Sequence, residues 1–390
     1  MSPSLRFPEF TGEWEKCKLG TLATKVGSGS TPKGGDAVYT SIGHYFVRSQ
    51  NVGMGFLMLD NIAHINDDIH QKHKATEIYE NDVLLNITGA SIGRTAVATK
   101  ELEGGNVNQH VCIIRTNSKV NPKFLCDYIQ TQRIQNHIKS LQTGGSREGL
   151  NFEQIRSFPI SLPSINEQNE LTCLLDKINE RIATQVRLIE DLKKLSCAIV
   201  EKMFKQSKTN GRLGDFIEQV SVRNKNGLYS NVLSVSNKQG FVKQSEQFED
   251  RTVASEDTSN YKIVKRNNFA YNPARINVGS IARLTKFDVG IVSPMYVCFR
   301  TKDGIIPEYM EAFFTSQQFF YEMMKRLEGS VRLCLSYEGL CNIPVYIPNM
   351  NKQIVMGQNI SLILSKIGLE IEYLGRLHQQ KQYLLRKMFI

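Results

Sequence analysis

The chain has 390 residues, 41% of them hydrophobic and 9% aromatic, with a formal net charge of +10 and a pI of about 9.1. That length suits two or three globular domains with sizeable cores, and the basic balance favours a polyanionic partner such as nucleic acid. No stretch approaches 18 uninterrupted apolar residues, which excludes an obvious bilayer span, and the eight cysteines form no C-x-x-C pair, which excludes a zinc knuckle or a thioredoxin-type site.

The start, Met1 to Arg6, lacks the apolar run of a signal peptide. With singly scattered thiols, this leads us to expect a reducing cytoplasm. Residues 1–163 read as a mixed domain. Val83–Ile87, Thr95–Ala98 and Val111–Ile114 are short runs rich in β-branched residues, punctuated by Gly and Asn, as strands joined by turns would be. Pro122 opens a helical pattern through Phe124, Leu125, Tyr128, Ile129, Ile134, Ile138 and Leu141, with proline at a first turn where its missing N–H costs nothing.

Residues 164–205 form the clearest element. From about Glu167 to Phe204, apolar residues recur in steps of three and four, including Leu171, Leu175, Ile178, Ile182 and Ile189. A helix of that length spans roughly 55–60 Å at 1.5 Å per residue, more than a small domain needs. Residues 205–212 are a polar linker. Residues 206–348 form a second mixed domain in which Pro307 opens a helical pattern. Residues 349–390 form a second long helix, with Ile363, Ile367, Ile371 and Leu374 on its stripe. The two stripes most simply bury each other in an antiparallel coiled coil.

The second half repeats the first. Pro122, Pro159, Pro163 and Gln168 recur 185 positions later as Pro307, Pro344, Pro348 and Gln353. Gly144, Leu150 and Glu153 recur as Gly329, Leu335 and Glu338, and Lys202-Met203-Phe204 recurs as Lys387-Met388-Phe389. Upstream the match loosens, and Gly27–Tyr79 has little in common with Val220–Val264. The expected fold is therefore α/β (α+β): one module used twice, with a kept back, a divergent front and a pseudo-twofold internal repeat, its two globular domains separated by the long helices.

Catalytic motifs fail when tested residue by residue. Gly27-Ser28-Gly29 lacks the third glycine of a dinucleotide fingerprint, and Gly35 stands where a Walker lysine should be. Asn272-Pro273-Ala274-Arg275 lacks the aromatic residue that holds an extruded adenine. His70 and His73 beside Asp67 and Asp68 have a metal-like spacing but no evident third ligand. The reading is non-catalytic, without a cofactor or metal. What remains is a set of polar, basic loops suited to phosphates and base edges. They contribute Ser28, Ser30, Thr31 and Lys33, then Arg48, Gln50 and Asn51, then Ser91, Arg94, Asn108, Gln109, Ser146 and Arg147. The second half contributes Ser236, Asn237, Lys238, Arg275, Asn277 and Arg332.

The opening Leu5-Arg6-Phe7-Pro8-Glu9-Phe10 with Trp14, together with Gly29–Pro32, Val47–Val52, Asn86–Gly93 and Leu150–Gln168, resembles the specificity subunit of Type I restriction-modification systems over nearly the whole chain. The resemblance implies two target-recognition domains, each reading one half of a split, asymmetric site on double-stranded DNA. The long helices would set the gap and dock two methyltransferase subunits, and restriction/translocase subunits would join them. S-adenosylmethionine, ATP and Mg would belong to those partners, and no membrane is implied. The second half lacks a clear copy of the Gly29–Pro32 loop, so its contacts carry over less directly. The competing readings are a helical scaffold that binds only protein and a methyltransferase with a cryptic site.

Overall fold

The structure is a computed structural model that describes residues 2–142, 149–205, 208–237, 239–244, 257–329 and 332–390. It divides into two compact units: unit 1 holds Met1–Gln185 and Tyr373–Ile390, and unit 2 holds Val186–Glu372. Each is described by itself below.

Unit 1 contains strands β1 (Glu15–Lys18), β2 (Ala23–Ser28), β3 (His44–Val47), β4 (Ala63–Ile65), β5 (Val83–Asn86), β6 (Thr95–Val97), β7 (Asn106–Val107), β8 (Val111–Thr116) and β9 (Pro159–Leu162). Its helices are α1 (Asp67–Lys72), α2 (Pro122–Gln130), α3 (Gln132–Gln142), α4 (Phe152–Arg156) and the first part of α5 (Ile165–Lys205). A four-stranded antiparallel sheet is ordered β2-β8-β5-β6, a three-stranded sheet β4-β3-β7, and β1 pairs with β9. The central strands are apolar on both faces because both are covered. Val83, Leu85, Cys112 and Ile114 join a cluster around Trp14, Phe124 and Tyr128, whereas Leu84 and Ile113 join a second one with Val47, Ile78 and Val107.

Unit 2 repeats this plan. Its strands are β10 (Gly211–Arg212), β11 (Ile217–Gln219), β12 (Val232–Ser236), β13 (Gly240–Lys243), β14 (Lys262–Lys265), β15 (Phe269–Tyr271), β16 (Ile281–Arg283), β17 (Val289–Val292), β18 (Val297–Thr301) and β19 (Pro344–Val345). Its helices are the rest of α5, then α6 (Leu213–Phe216), α7 (Pro307–Phe314), α8 (Gln317–Met324), α9 (Tyr337–Cys341) and most of α10 (Met350–Met388). The sheet β11-β18-β15-β16 matches β2-β8-β5-β6 strand for strand, and the pair β10-β19 matches β1-β9. The other sheet has four strands, β13-β12-β17-β14, where unit 1 has three. The divergence seen in the sequence falls on that sheet.

The kept residues have matching jobs. Gln168 is fully buried. Its Oε1 accepts from Asn121 N at 2.8 Å, just before α2, and its Nε2 donates to Lys119 O at 3.1 Å and Pro163 O at 3.0 Å. Gln353 does the same before α7, accepting from Ile306 N at 2.9 Å and donating to Gly304 O at 3.2 Å and Pro348 O at 2.9 Å. Each amide satisfies three backbone groups where a loop meets a helix start, which no apolar residue could do. The helical patterns opened by Pro122 and Pro307 are both broken in two. Thr131 turns extended (φ −61°, ψ 145°) with its Oγ1 donating to Tyr128 O, and Ser316 (φ −78°, ψ 151°) donates to Phe313 O, each at 2.7 Å. Apolar periodicity runs through these positions, so it could not reveal a break made by a hydroxyl.

The third recurrence closes the cores. Phe389 packs in unit 1 against Phe124 (5.4 Å between ring centroids), Tyr128 (6.0 Å) and Trp14 (6.4 Å). Phe204 packs in unit 2 against Tyr309 (5.4 Å) and Phe313 (5.3 Å), the residues equivalent to Phe124 and Tyr128. In unit 1, Arg181 Nη2 donates to the Tyr373 hydroxyl at 3.3 Å while Leu171 and Leu175 share a cluster with Leu385 and Met388, so the two helix segments run antiparallel. In unit 2, Ile199, Val200 and Phe204 share one with Met356 and Ile360.

Of the expected seam, Leu171, Leu175, Ile178, Ile189 and Ile367 are buried, and Ile182, Ile363 and Leu374 are half-buried. Ile371 is a correction: it is 49% exposed. The inward positions of α10 recur every seven residues as Ile360, Ile367, Leu374, Lys381 and Met388, and Ile371 falls one position off the companion stripe through Ile363, Glu370 and Leu377. Lys381 sits in a polar knot inside unit 1. Its Nζ donates to Gln130 Oε1 at 3.1 Å, and Gln130 Nε2 donates to Asp127 Oδ1 at 3.1 Å. Burial pushes the Asp127 carboxyl up to about 7 despite the opposing charge of Lys381.

Candidate nucleic-acid interface

In unit 1 the expected loops converge on one end of the β2-β8-β5-β6 sheet. Gly29, just past β2, donates its N–H to Asn108 O at 3.1 Å, and Thr31 N donates to Gln109 Oε1 at 2.7 Å. A Cβ at Gly29 would lie 1.7 Å from Val107 O, so only glycine lets the two backbones approach this closely. Asn108 N donates to Val47 O at 3.1 Å, which ties in the segment after β3. Asn86 Nδ2 then joins that segment to the next turn, donating to Ser49 O at 2.8 Å and Ser91 Oγ at 3.1 Å. His110 closes the set: its carbonyl accepts from Ile87 N at 3.0 Å, and its Nδ1 lies 2.5 Å from Thr88 Oγ1.

On this edge Ser30, Thr31, Lys33, Gln50, Arg94 and Gln109 are exposed. Arg48 is half-buried, its guanidinium 5.4 Å from the centroid of the Tyr39 ring and its Nε out of water without a partner among the described residues. Two expected contacts, Asn51 and Asn108, turn inward. Asn51 is 2% exposed, accepting from Arg48 N at 3.0 Å and donating to Met58 O at 2.9 Å; it shapes the turn that carries Arg48. Asn108 is buried and its Oδ1 accepts from His110 N at 3.0 Å. Ser91 is half-buried, and its Oγ accepts from Asn86 Nδ2 at 3.1 Å. Asparagine in a tight turn competes for its own backbone, which a residue-type argument for base contact overlooks. Ser28 is half-buried within β2, paired with Cys112. Ser146, Arg147 and Lys238 lie outside the described residues, as does Gly144.

The histidines near α1 are engaged within the fold. His70 Nδ1 meets Asn106 Oδ1 at 2.8 Å and its ring stacks on His44 at 3.8 Å, while His73 Nδ1 meets Ser30 Oγ at 3.0 Å. Among the described residues no group of three His, Cys, Asp or Glu could hold a metal ion.

In unit 2, Ser280 Oγ donates to Val235 O at 3.2 Å, and Leu335 N donates to Pro273 O at 3.1 Å. These bonds draw the end of β12, the Asn272–Gly279 turn and the segment after Arg332 around one cleft of about 630 Å3. Arg275 and Arg332 line it and are exposed. Asn237 is exposed, and Ser236 and Asn277 are half-buried. Gln244, Tyr261, Ser293 and Tyr296 also line the cleft, and sequence reasoning missed them because no motif surrounds any of them. An edge of this kind offers guanidinium, amide and hydroxyl groups to an anionic or hydrogen-bonding surface.

The long helices carry a second kind of surface. Val355, Leu362 and Leu369 recur every seven residues on α10 and are 56%, 69% and 61% exposed. An 18-residue stretch of α10 has a mean hydropathy of 1.3 and is 11% buried, long and apolar enough by length and composition to cross a membrane. Its apolar run is interrupted by Ser361, Ser365, Lys366 and Gly368. The same stretch buries Ile360 and Ile367 in unit 2 and carries a Lys366–Glu370 ion pair.

An antiparallel and a mixed sheet in each unit, a repeated plan and paired long helices define a tandem domain protein of a known kind. Residues 11–194 match the family described as Type I restriction modification DNA specificity domain. The chain is 24% identical over 135 residues to the Type I restriction enzyme EcoBI specificity subunit of Escherichia coli, a stretch covering 34% of this chain and 28% of that protein. Its fold matches the crystal structure of a Type I restriction-modification system S subunit from M. genitalium with a TM-score of 0.63 and 17% identity, over 100% of this chain and 99% of that one. A second match, with a TM-score of 0.57 and 14% identity over 98% of both chains, comes from work on complex assembly and conformational transition of the type I R-M system. The first half of the chain is thus similar to that domain family, and the whole chain shares the fold of solved Type I specificity subunits.

Proposed function

We propose that this chain is the non-catalytic DNA-reading subunit of a Type I restriction-modification complex. The region 1–163 reads one half of a bipartite site and the region 206–348 the other. The observation that carries this is the convergence, in each unit, of otherwise unrelated loops at the end of an equivalent sheet, one set presenting Lys33, Arg48, Gln50 and Arg94 and the other Asn237, Arg275 and Arg332. Phosphate contacts from the cations position the duplex, and amide and guanidinium contacts to base edges specify it. Because the two sets differ, the site is asymmetric.

The helices 164–205 and 349–390 set the gap between half-sites, and their outer faces dock two methyltransferase subunits. The seven-residue stripe of Val355, Leu362 and Leu369 supports that role, since exposed apolar residues at such spacing fit a partner helix. Those subunits supply S-adenosylmethionine chemistry, and ATP- and Mg-dependent restriction subunits join them. Work in the cytoplasm fits eight free cysteines. Methylome sequencing of cells carrying the complete system tests the reading: a split, asymmetric adenine-methylated motif is expected, and a palindromic motif or none overturns it. Salt-dependent DNA binding separates this function from that of a purely protein-binding scaffold. Saturable S-adenosylmethionine uptake by the isolated chain would instead identify a methyltransferase.

A further inference from the structure

Among the described residues, one group lining the cleft of unit 2 is left without a partner. Gln244, which directly follows β13, lines the cleft, and its Oε1 is shut off from water and accepts no hydrogen bond among the described residues. A buried acceptor without a donor is costly in a free protein and is tolerated where a ligand brings the donor. The surroundings say which kind of ligand. Arg275 and Arg332 stand exposed on the same cleft, and their guanidinium groups suit phosphate oxygens. Asn272 lines it too, but its Oδ1 is taken by Ala274 N at 3.1 Å, and the Tyr296 hydroxyl is taken by Val235 N at 3.3 Å. That leaves Gln244 as the amide with an open acceptor. A glutamine amide matches one base edge bidentately: Oε1 accepts from the adenine N6 amine and Nε2 donates to N7.

Resting on the proposed DNA-reading role, we infer that Gln244 determines specificity for an adenine in the half-site taken by unit 2, with Arg275 and Arg332 holding flanking phosphates. Rotation of the amide into the cleft on binding would let the exocyclic amine of the base supply the donor that Oε1 lacks in the free chain. Arg332 contributes affinity without sequence preference, and Gln244 contributes preference at one position.

The test compares methylomes of cells carrying the complete system with the wild-type chain, Gln244→Ala, Gln244→Glu or Arg332→Ala. Gln244→Ala should relax one adenine position of one half-site, with discrimination there falling about ten- to a hundred-fold and the other half-site unchanged. Gln244→Glu keeps the shape but replaces the Nε2 donor with a second acceptor, so preference at that position should move toward cytosine, whose N4 amine donates. Arg332→Ala should leave the motif intact while lowering the salt slope of DNA binding by about one. A fully retained motif in both Gln244 variants, or relaxation at a position other than adenine, overturns the assignment and leaves the DNA-reading role standing. A wild-type methylome without a split motif overturns both.

Discussion

Removing the Phe389 side chain tests how unit 1 is closed. Phe389 is 6% exposed and touches three aromatic rings, Phe124 stacked at 23° and Trp14 and Tyr128 edge-on. Truncating a buried phenylalanine to alanine costs about 3–5 kcal/mol, from lost transfer energy plus the cavity left behind. Phe389→Ala should fall at the upper end, because three aromatic contacts of about 0.5–1.5 kcal/mol each are lost together. For a unit of roughly 200 residues, that shifts the melting midpoint by about 10–20 °C. Trp14 is the chain's one tryptophan, so its fluorescence reports unit 1 alone. We expect Phe389→Ala to move the Trp14 transition by the full amount. Phe204→Ala, whose contacts all lie in unit 2, should move that transition by less than about 0.5 kcal/mol while lowering hydrogen-exchange protection of α7. Equal effects of the two variants on Trp14, or a Phe389→Ala cost below about 1 kcal/mol, would refute this account of core closure.

Asp127 should make unit 1 less stable as pH rises. Its folded pKa of about 7 stands above the ordinary 3.8, so the folded state holds the proton more tightly, and stability is lost as pH climbs from about 4 to 7. Asp127→Asn should abolish that slope and raise stability at pH 8 by at most about 4 kcal/mol, read by Trp14 unfolding at a series of pH values. Arg283 is 9% exposed and pairs with Glu308 and with Glu311 Oε2 at 2.9 Å. Arg283→Met should cost unit 2 about 3–5 kcal/mol at pH 7 by stranding two carboxylates. Burial already raises the Glu311 pKa against the pull of Arg283, so melts of this variant should recover part of the loss as pH falls and Glu311 takes a proton. Gly29→Ala should cost unit 1 about 1–3 kcal/mol as β2 shifts away from Val107. It should also weaken DNA binding in a gel-shift titration, and wild-type affinity would contradict the placement of this turn at the interface.

The long helices were legible because an apolar stripe leaves a period in the sequence. Expected at about 167–204 and 352–389, they run Ile165–Lys205 and Met350–Met388. The repeat was legible because Gln168, Phe204 and their copies each satisfy a geometric demand that no other residue type meets as well. The contact loops were legible only as regions. Residue type placed Arg48, Asn51, Asn108 and Gln109 in polar turns but could not say which side chains turn outward. That depends on the backbone hydrogen bonds of each turn, and Asn51 and Asn108 turned inward to make them. Gln244 and Tyr261 were invisible because the cleft is assembled from separate strands and turns, and separation along the chain erases any spacing signal.

The pattern of what is kept and what varies follows from these roles. Gln168 and Gln353 tie loop to helix start, Thr131 and Ser316 break the helix after it, and Phe204 and Phe389 fill an aromatic socket. All three devices lie between Pro122 and Phe204 or their copies, on the side of each unit that meets the long helices. Each phenylalanine also ends the repeat opposite, in sequence, to the socket it fills: Phe204 follows the first domain yet completes the core of unit 2, and Phe389 ends the second repeat yet completes unit 1. Each socket is therefore built from residues of both halves of the sequence. Loops at the far end of each sheet answer to no such demand beyond their own turn geometry. They are free to exchange Lys33, Arg48 and Gln50 for Asn237, Gln244 and Arg275 without loosening the frame. One scaffold can in this way carry two unrelated sets of contacts, and exchanging the loops of either unit should change what it reads while the Trp14 transition stays in place.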